Sequence, residues 1–138
     1  MATFNKFNSL VEALAEKVHN LGSDTLTVAL TASANAPVAT NSQLSNLTQI
    51  SYTNLSSRVL TTSSSSQTSG TYKLVIADLT LTASGGAVAP FRYVVIYNDT
   101  ATNDELIGWF DYGSDLTLAN GESLTLDFDA ANGLLQLV

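Results

Sequence analysis

The chain holds one histidine, His19, and no cysteine, so any acid–base or nucleophilic chemistry must start from a short inventory. A catalytic dyad or triad needs a base held beside its nucleophile. His19 follows Val18 of an apolar stripe and precedes Asn20, near the carboxyl end of a helical pattern where positive charge is favoured. It is expected to be structural or solvent-facing. A zinc site would have to assemble carboxylates around that single imidazole, and no spacing supplies them. The run Asp127-Phe128-Asp129-Ala130-Ala131-Asn132-Gly133 has the alternating acids of a calcium loop. Its glycine falls one position late, Phe128 belongs to a strand pattern, and no closing bidentate glutamate follows. Asp78 and Asp111 are the acids embedded in otherwise apolar strand patterns. Glycoside hydrolysis needs two such groups facing one another across a cleft, and nothing in the sequence pairs these. Asp99, Asp104 and Glu105 crowd one polar stretch and read as a solvated tip. Glycine-rich phosphate loops of the Walker or Rossmann kind are absent. The expectation is therefore no catalytic residue, no metal ligand and no cofactor.

Composition narrows the partners. The 138 residues suit one domain with a real core. Charged residues make up only 12% of the chain, about half the usual share, so the surface must be wetted by Ser, Thr and Asn. Five cations against a net charge of -7 cannot neutralise a useful run of phosphates, which argues against nucleic acid. No apolar run reaches the roughly 18 residues that a membrane span requires, and the amino end lacks the apolar region of a signal peptide. Asn46-Leu47-Thr48 and Asn54-Leu55-Ser56 match the glycosylation pattern, which matters only in a secreted chain.

Phe4, Phe7, Leu10, Val11, Leu14, Val18 and Leu21 fall three or four apart, one helical stripe over about Asn5 to Asn20. Ser9 with Glu12 could form a capping box, which would start the helix late and leave Phe4 and Phe7 in an extended arm. Gly22 is placed to end it. Residues 1–22 are thus either a helix packed on a sheet or an arm that docks on a neighbouring subunit. Residues 23–138 read as the sandwich of a single domain. Thr25 to Thr31 alternates as a half-buried strand. Gln49 to Tyr52 and Ser57 to Thr61 look like short strands, and Thr61 to Gly70 like a solvated loop or the polar edge of one. Parity changes near Ala77, the sign of a bulge or break. Pro90 to Tyr97 and Leu106 to Tyr112 are aromatic and β-branched, an antiparallel pair at the centre of the sheet, with Phe91, Tyr93, Val95 and Tyr97 on one face and Val94 and Ile96 on the other. Trp109 and Tyr93 are expected in the core. Gly113-Ser114-Asp115 reads as a turn, and Asn120-Gly121 and Asn132-Gly133 as hairpin turns. The predicted fold is mainly β, an antiparallel β-sandwich, jelly-roll-like, with one amino-terminal α-helix.

Several runs carry a resemblance. They are Phe7 with Ala15 to His19, Asp24 to Thr31, Ala36 to Asn41 and Gln67 to Leu74. The most specific are Pro90-Phe91-Arg92-Tyr93, Tyr97 to Thr100 and Leu106 to Gly113. Together they resemble small structural proteins encoded among the head and tail genes of tailed bacteriophages. Between about Gln43 and Ser66 the sequence departs from that pattern, lacking its glycine-rich segment. The resemblance implies a non-enzymatic virion protein, a decoration (cement) protein on the capsid surface, synthesised in the bacterial host cytoplasm. The major capsid protein and copies of the chain itself would be its partners. Phe4 and Phe7 are the candidate partner contacts, so deleting the residues before Ser9 is expected to weaken attachment without unfolding the sandwich. The alternative is a tail or head-fibre module recognising host-surface glycans, for which exposed aromatic side chains at loop tips would be the mark.

Overall fold

The computed structural model describes residues 2–138. Its centre is β6 (Phe91–Asn98), flanked by β7 (Leu106–Leu116) on one side and β2 (Leu26–Thr31) on the other. The two-residue β1 (Asn5–Lys6) adds to the far edge of β7, completing a four-stranded sheet in the order β1-β7-β6-β2. Every pairing in it is antiparallel. A three-stranded sheet, β3 (Thr62–Thr68), β4 (Thr71–Ile76) and β9 (Leu135–Leu137), and a two-stranded one, β5 (Leu79–Thr82) with β8 (Ser123–Leu126), complete the β structure. The protein is mainly β, antiparallel and sandwich-like, with one short helix. The sheets hold four, three and two strands, so the strand order itself describes the architecture better than the two matched sheets of a jelly roll. No helix among the described residues is long and apolar enough to cross a membrane.

The large core cluster joins the layers: Val28 and Leu30 of β2, Leu74 and Ile76 of β4, Leu81 of β5 and Ile96 of β6 bury their side chains together. A second cluster covers the opposite face of the four-stranded sheet, where Phe7, Ala29, Val95, Tyr97 and Leu106 pack with Leu44, Leu47 and Trp109. Cover on both faces explains why all six residues of β2 are buried, where alternation alone predicts a half-buried strand. The face assignment of β6 holds except at its start. A register irregularity between Phe91 and Tyr93 turns Phe91 into the large cluster beside Val94 and Ile96, away from Val95 and Tyr97. Gly113, at φ +103°, lies in the corresponding stretch of β7. Gly113-Ser114-Asp115 is therefore a bulge inside a long strand and not a turn.

The amino-terminal pattern is not one long helix. Asn5 and Lys6 pair with Trp109 and Gly108, and α1 occupies only Leu10–Ala15. Ser9 stands at the N-cap position without a side-chain cap bond, so the capping box with Glu12 does not form. Gly22 does not end the helix either. Lys17 adopts φ +65°, with the Val18 N–H donating to Ala13 O at 2.8 Å and the Lys17 N–H to Leu14 O at 3.4 Å. That pair of bonds is a Schellman ending, with lysine in the left-handed position that usually takes glycine.

Other strand expectations shift in instructive ways. Gln49–Tyr52 and Ser57–Thr61 do not form strands, although Val59 makes an isolated bridge to Thr27. Thr62–Thr68, polar throughout, does form one, turned into β4 by Ser69 (φ +51°) and Gly70 (φ +85°). The break near Ala77 separates β4 from β5 as the parity change predicts. Gly121 and Gly133 do take positive φ. Yet β8 pairs with β5 and β9 with β4, so neither turn closes a hairpin.

Candidate functional site

His19 is buried, with 6% of its surface exposed. The Schellman turn delivers it to Asn98, the last residue of β6, whose side-chain amide is oriented by its surroundings. Asn98 Oδ1 accepts the N–H groups of Thr100 and Ala101, leaving Nδ2 to donate to His19 Nδ1 at 2.9 Å and to Asp24 Oδ2 at 2.6 Å. An accepting Nδ1 puts the imidazole proton on Nε2, which is buried without a partner. Burial lowers the His19 pKa from its ordinary value, opposed by the negative charges of Glu105 and Asp24. The ring's bonded partner is an amide, so this is a neutral structural brace between the α1 exit and the β6–β7 connection.

The carboxylates singled out by the sequence are dispersed among structural tasks. Asp111 takes the Arg92 guanidinium in a two-pronged contact, Nε to Oδ1 at 2.7 Å and Nη2 to Oδ2 at 3.0 Å. That bond, helped by the Gly113 N–H, holds the Asp111 carboxyl below the usual range, and the pair staples the β6–β7 bulge at the surface. Asp78 accepts the Phe128 N–H at 2.9 Å. Glu105 accepts from the Asn103 backbone and side chain. In the calcium-like run, Asp129 Oδ1 takes the N–H groups of Ala131 and Asn132, both at 2.8 Å, which closes a turn. Among the described residues, no group of three or more His, Asp or Glu side chains comes together in a way that could hold a metal ion.

The two proposed partner contacts separate. Phe7 is completely buried, its ring centroid 4.5 Å from that of Trp109, and is unavailable to any partner in this fold. Phe4 is part-buried, 5.6 Å from the Phe110 ring, and lies over Gly108. A Cβ at Gly108 would overlap that ring and lie 2.7 Å from Asn5 O. Asn5 and Lys6 therefore belong to the sheet and Phe7 to the core, and removing them would damage the fold rather than only detach an arm. Trp109 is half-buried at the margin of the second cluster, and Tyr93, also half-buried, belongs to neither cluster.

Two features escaped the sequence. Arg58 lies 3.6 Å above the centre of the Tyr52 ring and donates through Nη1 to Val28 O. The Val28 N–H returns a bond to Arg58 O and the Leu60 N–H one to Leu26 O, both at 2.9 Å. Residues 58–60 thus seal the outer edge of β2; the one signal was an arginine placed directly before Val59 and Leu60. The second feature is a crevice of about 570 Å³ between β7 and β8. It gathers Phe91, Phe110 and Phe128 from separate stretches of chain, which no spacing rule anticipates. By contrast β3 has no such cover: its residues range from half-buried to exposed, and none is charged.

These surfaces belong to an antiparallel, sandwich-like β protein with one short helix. Comparison with protein-family models, with curated proteins and with solved structures gives no match for this chain.

Proposed function

We propose that this chain is a non-enzymatic structural subunit, a decoration protein that coats a virion capsid in many copies. The major capsid protein and further copies of itself would be its partners. The observation that supports the reading is the β3 edge. Seven consecutive residues, Thr62–Thr68, stand at the outside of the β3-β4-β9 sheet without a single charge or proline, and the one irregularity in the register is confined to the start, between Thr62 and Ser64. Sheet edges left open to solvent are ordinarily guarded by lysine, proline, bulges or cover, because their free N–H and C=O groups recruit another strand. An edge of short Ser and Thr side chains lets a partner backbone approach closely, and main-chain hydrogen bonds then supply the attachment.

Such contacts depend little on ion pairs, so attachment should vary weakly with salt. Several weak edges engaged together on a lattice give avidity that a single contact lacks. The test is to count copies in purified particles by quantitative mass spectrometry and locate them by electron cryomicroscopy. Many copies on the shell are expected. A few copies at a tail tip would replace this reading with glycan adhesion, and absence from the particle would overturn both.

A further inference from the structure

The crevice between β7 and β8 has a chemistry of its own, independent of what the β3 edge binds. Its floor is apolar and buried: Phe91 is fully covered, while Val94, Phe128 and Leu134 are each 6% exposed. Phe110 stands in its wall between two other rings, 5.6 Å from Phe4 and 6.2 Å from Phe128. Leu124 and Leu126 of β8 form the facing wall and are only part-buried. A volume of about 570 Å³ falls within the range of about 300–1,000 Å³ typical of small-molecule sites. Ordinary interiors leave few voids larger than a water molecule. Here apolar rings and leucines face an open space that none of the described residues fills.

The mouth carries the charge. Asp127 and Asp129 line it. The cation close by, Lys73, lies behind the turn, its Nζ donating to Ala131 O at 2.6 Å. Its charge adds to the Asn132 bonds that hold the Asp129 carboxyl below the usual range. Asp127 is exposed. Asp129 is fixed by the turn that its own carboxylate closes with Ala131 and Asn132. Gly133 makes that turn possible: it adopts φ +77°, and a Cβ there would lie 2.5 Å from Leu74 O. The loop is thereby pressed against β4 with its acids at the rim. Aromatic faces attract cations as well as apolar groups, so floor, wall and rim all favour the same kind of guest.

We infer that this crevice binds a small amphiphilic cation, its apolar body between Phe110 and Leu124 and its ammonium group beside Asp127 and Asp129. An anionic amphiphile would meet two carboxylates, while the nearby Lys73 ammonium is held by Ala131 O at 2.6 Å. A sugar would find an apolar floor offering its hydroxyl groups nothing to bond.

The test is a nuclear magnetic resonance titration of the full chain with three probes of equal tail length: hexyltrimethylammonium, hexanesulfonate and hexyl glucoside. Hexyltrimethylammonium should saturate one site, moving the resonances of Phe110, Leu124 and Asp127, and should bind more tightly than either other probe. Asp127→Asn should weaken it roughly two- to five-fold, the scale of one exposed charge pair. Leu124→Trp, which fills the space, should abolish binding while the melting temperature is kept. If that variant fails to fold, Phe110→Ala supplies the same test by removing the central ring. Equal binding of all three probes, tighter binding of the glucoside, or no saturable shift would overturn the inference.

Discussion

β2 and β3 are strands of similar length, each paired on one side to an antiparallel neighbour, yet their free edges have opposite fates. The edge of β2 is closed by the backbone of residues 58–60 and by the Arg58 guanidinium stacked on Tyr52. All six of its residues are buried. The edge of β3 carries nothing but short hydroxyl and amide side chains. The difference lies mainly in the side chains, since both are antiparallel ladders and the β3 register is irregular only between Thr62 and Ser64. Val28, Leu30 and Ala29 earn cover on two faces, which removes enough apolar area to hold an excursion of chain against the edge. Ser63 to Ser66 offer no apolar area for such a cover to bury, so the edge stays open to a partner.

The contrast can be broken most severely from the β2 side. Phe7→Ala removes the ring that packs on Trp109 and on the face of the sheet holding Ala29. It should lower stability by about 3 to 5 kcal/mol, read by chemical denaturation. Trp109→Ala, at a half-buried site, should cost less, about 1 to 3 kcal/mol. Arg58→Ala strips the seal from the β2 edge and leaves Val28 O without the arginine bond. A loss of about 1 to 3 kcal/mol is expected, the cost of leaving a buried carbonyl unsatisfied. If Arg58→Ala left the denaturation midpoint untouched, cover by this segment would not be what protects β2.

Acid should loosen the adjoining brace. Burial holds the His19 pKa below its ordinary 6.5, so the unfolded chain takes up a proton first as the pH falls. Stability from this group is complete above about pH 6.5. It declines as the pH drops toward the folded-state value, below which the loss stops growing. Asp24 and Glu105 pull the other way and limit the size of the effect. Melting curves of wild type and His19→Gln across this window should converge at the acid end. Smallest of all is the effect of Ser64→Lys with Ser66→Lys on folding, within about 0.5 kcal/mol for exposed positions. The same pair should abolish attachment to a partner edge, which separates stability from association.

Much of the β2 half is legible from sequence; in the β3 half the polar run leaves open whether Thr61 to Gly70 is a solvated loop or the edge strand that it forms. Hydrophobic and β-branched runs locate β2, β6 and β7 because burial imposes them. The parity change at Ala77 locates the gap between β4 and β5. β3 gives no such signal, since Ser and Thr show no periodic contrast of polarity. Asn120-Gly121 and Asn132-Gly133 do make turns but not the expected hairpins, since their strands find partners more than 40 residues away, β8 on β5 and β9 on β4. Turn chemistry fixes local direction and says nothing about pairing at a distance. The apolar stripe at the amino end continued through Val18 and Leu21, while Lys17 at φ +65° stops the helix without a glycine to announce it. The crevice was illegible for a related reason: Phe4, Phe110 and Phe128 meet only after three strands have docked.

The open β3 edge as the surface of attachment is tested most directly by hydrogen exchange, followed amide by amide in the free chain and in the purified particle. The Thr62–Thr68 amides should exchange quickly in the free protein and become strongly protected on the particle, while those of Leu26–Thr31 stay protected in both. Equal exchange of Thr62–Thr68 in the two states, with new protection elsewhere on the molecule, would show that the partner binds a different surface.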